Sequence, residues 1–253
     1  MSVIHLSRIG DHAALLEIDN PPANALGSAL RRSLLEKLDA LEADLSIRAV
    51  VLTGRGRAFC SGDDLKEQEA AQAQGVDARK ALLAEFAAVL ERIEAFRAPV
   101  IAAIDGWCMG GGLELALACD IRIASTEARF VCAGVNIGLM ASAWRLPRAI
   151  GQARAKHMLL AGLPHDAATA ERFGLVTAIY PPETLRDEAA KLATRIASRA
   201  PLSVEATKRV SSLPPGEGAE QAVREINTLV QSADHAEALA AFREKREASF
   251  KRK

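Results

Sequence analysis

Apolar residues recur along this chain in two periods, one strand-like and one helical, and the two take turns. Val3 to Ile9 and His12 to Ile18 read as a hairpin with Gly10-Asp11 at its turn. Asn20-Pro-Pro breaks that pattern. From Ser28 to Leu45, apolar residues at Leu30, Leu34, Leu38 and Leu41 follow a helical spacing. Arg48 to Thr53 predicts a short buried strand, and Gly54-Arg-Gly-Arg the loop after it. A second long helix is predicted from Ala78 to Phe96, ended by Pro99; Val100 to Ile104 and Asp120 to Ala124 are further strands. Strands and helices in alternation with right-handed crossovers define an α/β fold. The periodicity fits a stacked spiral of repeated units as well as an open sheet.

From Ala153 onward helical patterns dominate. They run over Ala153–Leu160, Asp166–Phe173, Pro182–Ser198, Pro201–Ser211, Gly218–Gln231 and Ala236–Phe250, with one short strand at Leu175–Tyr180. Pro201 and Pro214-Pro215-Gly216 are natural junctions. The expected division is a core over residues 1–197 and a helical region over residues 198–253, which packs on the body or on another subunit.

Composition narrows the function. With 253 residues the chain is long enough for a large core. Lys+Arg and Asp+Glu are both 32, and aromatics are 4%, which argues against nucleic acid or an anionic membrane as partner. No apolar run is long enough to span a bilayer, and the N-terminus has no secretion-type pattern, so a cytoplasmic protein is expected. Cys60, Cys108, Cys119 and Cys132 lack metal-ligand spacing, so no metal is expected and the thiols should be free.

The most informative stretch is Ile104-Asp-Gly-Trp-Cys-Met-Gly-Gly-Gly-Leu-Glu-Leu-Ala-Leu-Ala-Cys-Asp120. Three glycines lead into a helical pattern with Glu114 in its first turn. The first N–H groups of a helix have no intrahelical partner, and the dipole places partial positive charge there. The result is a place for a developing negative oxygen with a carboxylate beside it, the minimum equipment for carbonyl chemistry. The glycines do not fit a dinucleotide or P-loop motif.

Taken in order, several stretches make the chain resemble the crotonase family (enoyl-CoA hydratase/isomerase). They are Asn20-Pro-Pro-Ala-Asn-Ala-Leu26, Val50 through Phe59-Cys-Ser-Gly-Asp-Asp-Leu-Lys66, and Ala98-Pro-Val-Ile-Ala-Ala-Ile-Asp-Gly106. The glycine block then leads to Ala118–Ser125, Trp144-Arg-Leu-Pro-Arg-Ala-Ile-Gly151, Gly174-Leu-Val176 and Ala241-Phe-Arg-Glu-Lys-Arg246. The resemblance implies a spiral of ββα units with a helical C-terminal trimerisation region. It also implies acyl-CoA substrates, with coenzyme A as part of the substrate and no separate cofactor, and a homotrimer or homohexamer working in fatty acid metabolism.

By the same resemblance, the backbone N–H groups of Ser61 and Gly111 form the oxyanion hole. Gly62, Asp64, Leu65 and Lys66 follow the CoA adenine, while Phe242 and Lys245 serve the pantetheine and phosphates, with Phe242 near the pantetheine of the chain's own or a neighbouring subunit. Hydratases of the family hold a water between two glutamates. Glu114 matches the first, but the second position, four beyond Phe130, is Gly134. Isomerases of the family rely on that same second glutamate.

Asp63 stands where some relatives, including methylmalonyl-CoA decarboxylases, carry a functional side chain. The expectation is that Glu114 and Asp63 form the acid/base pair, with Gly134, Asn136, Trp144 and Arg145 shaping the acyl pocket. Hydration of a 2-enoyl-CoA is the first reading. Decarboxylation or isomerisation within the family, or an acyl-CoA-binding protein without turnover, are the alternatives.

Overall fold

The N-terminal hairpin consists of β1 (Val3–Ile9) and antiparallel β2 (Ala13–Asp19), with Gly10 at φ 55° in the turn. The computed structural model describes residues 3–214 and 216–253; Met1, Ser2 and Pro215, part of the predicted proline break, lie outside the described residues. After the hairpin the chain winds in repeated turns. The first is β2, β3 (Ala25–Leu26) and α1 (Ser28–Ala43). The second is β4 (Ala49–Gly54), β5 (Ala58–Cys60), β6 (Gly62–Asp63), α2 (Leu65–Gln74) and α3 (Val76–Ala95). The third is β7 (Val100–Ile104), β8 (Trp107–Met109) and α4 (Gly111–Ala118). The fourth is β9 (Ile121–Ser125), β10 (Arg129–Val131), a 3-10 turn (Ala133–Ile137), α5 (Arg145–Ile150) and α6 (Gln152–Ala161). Next come β11 (Pro164–Asp166), α7 (Ala167–Phe173), β12 (Ile179–Tyr180) and α8 (Pro182–Ala197). The chain ends in α9 (Pro201–Ser211), α10 (Gly218–Leu229) and α11 (Ala233–Glu244).

Each turn sends its first strand to one sheet and its second to another layer. The large sheet has the order β1-β2-β4-β7-β9-β12, parallel beyond the hairpin, and a second sheet has the order β11-β10-β8-β5. β3 pairs with β6. This is the stacked spiral of ββα units, not an open sheet.

The large sheet is covered on both faces, which is why its strands read as continuous apolar runs. Side chains alternate between the faces. Val50, Leu52, Val100, Ala102 and Ile104 pack towards α1, α3 and α4. Ala49, Val51, Ile101 and Ala103 pack towards α8, which answers with Leu185, Ala189, Ala193 and Ala197 at every fourth position. A fully buried leucine or isoleucine here contributes about 1.5–3 kcal/mol.

α9 is tied to the body by charge. Lys208 Nζ lies 2.8 Å from Asp120 Oδ2 and donates to Ile93 O and Ala98 O. Glu205 pairs with Arg97 at 3.3 Å and with Arg252 at 2.9 Å. α10 buries none of its residues and exposes Val223 and Ile226.

Several predicted boundaries move. The last helix, predicted over Ala236–Phe250, spans Ala233–Glu244 because Ser232 Oγ caps it, accepting from His235 N–H. The rest of the chain folds back through Glu237, which accepts from Arg246 and from Ser249 N–H. The predicted strand Leu175–Tyr180 shrinks to Ile179–Tyr180, because Leu175 N–H closes α7 on Ala170 O. No helix among the described residues is long and apolar enough to cross a membrane.

Candidate active site

The glycine block brings two backbones together. β8 enters α4 through Gly110 at φ 50°, a left-handed conformation that favours glycine. A side chain on Gly112 would run into the Cys60 carbonyl and approach Cys60 Cβ to 2.9 Å. A Cβ on Gly62 would lie 2.7 Å from Gly111 N. The start of α4 therefore lies directly against the Gly62–Asp63 backbone. Gly111 is the first helical residue, so its N–H is among those that the helix itself cannot satisfy.

The structure corrects the assignment of Ser61 as the second donor. Its N–H donates to Ala23 O at 3.0 Å, and the Gly62 N–H faces Cys60 Sγ at 3.3 Å. Both are committed within the fold. The Cys60 thiol itself is pushed up to about 12 by burial and is no nucleophile.

Glu114 follows Gly111 by three residues, one helical turn along and on the same side. Its Oε1 accepts from Ser142 N–H, and its Oε2 accepts from Arg145 Nη1 at 3.2 Å. Arg145 also grips Glu94 at the end of α3 with Nε and Nη2, at 2.7 and 3.1 Å, and Glu94 raises the arginine's pKa further. Ser142 reaches Glu114 from a left-handed φ of 61°; it is 1% exposed, and its hydroxyl has no partner among the described residues.

Gly134 packs under the same loop. A Cβ there would lie 2.9 Å from Ala141 N and from Leu139 O. The space that a glutamate at this position would need holds loop backbone.

Two residues expected in the acyl pocket have partners away from Glu114. Asn136 donates to Gly162 O at the end of α6. Trp144 is 70% exposed and stacks on Arg148, 5.0 Å from guanidinium to ring centre. With Glu94 and Arg145 it lines a cleft of about 1330 Å³ between the C-terminal end of α4, α5 and α9, and Glu114, Gly111 and Asp63 take no part in that cleft.

Asp63 does come to the site. Its Oδ2 lies 3.2 Å, and Phe86 Cζ 3.0 Å, from where a Cβ on Gly111 would stand. Its Oδ1 is bound by Arg31 Nη2 of α1. Arg31 is 1% exposed, donates to Leu82 O at 3.1 Å and sits 5.3 Å from the Phe86 ring centre. Burial raises the Asp63 pKa; Arg31 and the residue's own N–H oppose that rise, and Glu67 adds to it. The sequence reading missed Arg31. Its signal was a charged residue inside the apolar stripe of α1, three and seven positions before Leu34 and Leu38.

The CoA-assigned residues fall into two groups. Gly62 borders Gly111, Asp64 caps α2 by accepting from Lys66 N–H at 2.9 Å, and Leu65 and Lys66 are exposed. Phe242 and Lys245 are not joined to them within the chain. α11 and the tail pack against α8, on the other face of the large sheet, and there Phe242 is 83% exposed beside Lys191, Thr194 and Arg195.

A ββα spiral that sets a glycine-led helix start against a second backbone strand, with a carboxylate one turn away, defines an enzyme-like cleft with a place for a negative oxygen beside an acid or base. The chain belongs to the enoyl-CoA hydratase/isomerase family, the crotonases: that family's pattern matches residues 8–253. A probable enoyl-CoA hydratase of Rhizobium meliloti is 39% identical, over 94% of this chain and 93% of that protein. The (E)-benzylidenesuccinyl-CoA hydratase of Thauera aromatica is 37% identical over 96% of this chain and 97% of its own. The crystal structure of an enoyl-CoA hydratase from Bacillus anthracis superposes with a TM-score of 0.94 at 32% identity, covering 99% of both chains.

Proposed function

We propose that this enzyme adds water to the 2,3 double bond of a 2-enoyl-CoA. The observation that carries the proposal is the start of α4 at Gly111 lying against Gly62–Asp63, with Asp63 Oδ2 beside it and Glu114 one helical turn along. The thioester oxygen binds between the N–H groups of Gly111 and Asp63; those of Ser61 and Gly62 are used elsewhere, and that of Asp63 is shared with its own carboxylate. Each such donor is worth about 3 kcal/mol as the oxygen gains charge.

A water held by Glu114 and Asp63 adds its oxygen to C3. The electron pair of the double bond moves towards the thioester oxygen and forms the enolate. One water proton passes to Asp63, the carboxylate whose proton affinity burial raises, and from there to C2. One water is consumed and both carboxylates end as they began. Glu114, held by Ser142 and Arg145, accepts a hydrogen bond from the O–H that stays on the water oxygen and so aims that oxygen at C3.

Gly134 supports a second reading, decarboxylation of an acyl-CoA, which needs the oxyanion hole but not two glutamates. The CoA is part of the substrate in either case. Its adenine end runs along Gly62, Asp64, Leu65 and Lys66, while Phe242 and Lys245 serve the site of a neighbouring copy in a trimer or a dimer of trimers. The exposed Val223, Ile226 and Phe242 support that assembly.

The test is loss of the conjugated-thioester absorbance when the enzyme meets 2-enoyl-CoA. Glu114→Gln should lower kcat by about 10²–10⁴-fold with KM little changed. Normal turnover in that variant would refute the mechanism.

A further inference from the structure

An ion pair sits at the rim of the site where an apolar contact would serve the fold as well. Arg31 occupies a position of the buried α1 stripe, between Leu30 and Leu34, and is as buried as they are. Taking two charges out of water gains little stability over hydrophobic residues of similar volume. The pair therefore asks for a role beyond packing.

Its geometry is fixed from three elements. Arg31 comes from α1. α3 supplies the Leu82 carbonyl and the Phe86 ring that immobilise the guanidinium, and β6 supplies Asp63. One oxygen of Asp63 faces Arg31 and the other faces Gly111. The Arg31 Nε is buried without a partner among the described residues.

We infer that Arg31 is a positioning residue for the reaction: it holds Asp63 by Oδ1 so that Oδ2 is presented to the substrate carbon above Gly111. This rests on the reading of Asp63 as the group that carries the proton. The charged groups facing Asp63 are Arg31 from α1 and Glu67 from α2, with the Cys60 thiol beside them. Arg31 favours the carboxylate form and Glu67 opposes it. Removing Arg31 should therefore move the titration of Asp63 to higher pH.

The test compares wild type, Arg31→Met, Arg31→Lys and Asp63→Asn, with kcat and KM for a 2-enoyl-CoA followed across about pH 5 to 9, and thermal unfolding of each. Arg31→Met should lose kcat roughly tenfold to a hundredfold with KM within about twofold, and the acid limb of its kcat profile should move up. Arg31→Lys keeps the charge but loses the fork, so its limb should stay while kcat falls several-fold. A folded Arg31→Met with an unmoved limb would overturn the inference. So would an Arg31→Lys protein with wild-type kcat, which decides the matter if the methionine variant does not fold. Wild-type turnover in Asp63→Asn would instead refute the underlying reading of Asp63, whatever the Arg31 variants do.

Discussion

Ser142 shows how a single backbone group can govern a carboxylate. Its N–H binds Glu114 from a conformation that glycine adopts at no steric cost and proline cannot adopt. Ser142→Gly should therefore keep turnover near wild type, whereas Ser142→Pro should lose at least about tenfold in kcat through the lost charge-assisted hydrogen bond. Steady-state kinetics on the two variants checks this; equal activity would separate the Ser142 N–H from catalysis. At this scale the sequence revealed residue types better than directions. Gly111 and Glu114 were legible because a helix start fixes where its N–H groups and first-turn side chains point. Ser61 was not. Whether its N–H faces the pocket depends on its bond to Ala23 and on the positive φ of Gly62, 97°, and neither leaves a mark in the pattern of residues.

Among the elements, the loop between the 3-10 turn and α5 packs its backbone on Gly134 and brings the Ser142 N–H to Glu114. Gly134→Glu would place the second glutamate in sequence but not in space, because its Cβ meets the backbone at Leu139 and Ala141. The loop would have to shift, and Ser142 with it. We expect lower kcat and a loss of about 1–3 kcal/mol of stability, as for overpacked cores, measured by kinetics and denaturant unfolding. A gain in turnover would show that the loop yields freely. Long amphipathic elements were legible: α1, α3 and α8 each carry a full apolar stripe. The two- and three-residue strands β3, β5, β6 and β10 were not, since pairing rather than periodicity defines them. The directions of Asn136 and Trp144 were not legible for a related reason, because the irregular segment that carries them has no period from which to read a facing direction.

Across the whole molecule, the C-terminal helices are held to the core by buried charge and leave an apolar surface outside. Lys208→Met would take the cation from Asp120, which among the described residues keeps only the Val100 N–H on that oxygen, at a cost of about 3–5 kcal/mol. A lowered denaturant midpoint with an unchanged slope is the expected result, and an unchanged midpoint would show that α9 is held by its apolar contacts alone. The spiral was readable only through the joint order of motifs, because strand periodicity alone cannot separate stacked turns from an open sheet. Phe242 and Lys245 could not be placed from sequence, since Phe242 stands exposed over a groove that it shares with α8, across the sheet from Gly111.

The most direct test of hydration is the mass of the product. The purified enzyme is incubated with crotonyl-CoA, longer 2-enoyl-CoAs and methylmalonyl-CoA, alongside Glu114→Gln. The account predicts that an enoyl-CoA gains one water and that the gain disappears in the variant. Loss of carbon dioxide from methylmalonyl-CoA with no hydration, or tight binding of every thioester with no change in mass, would contradict it.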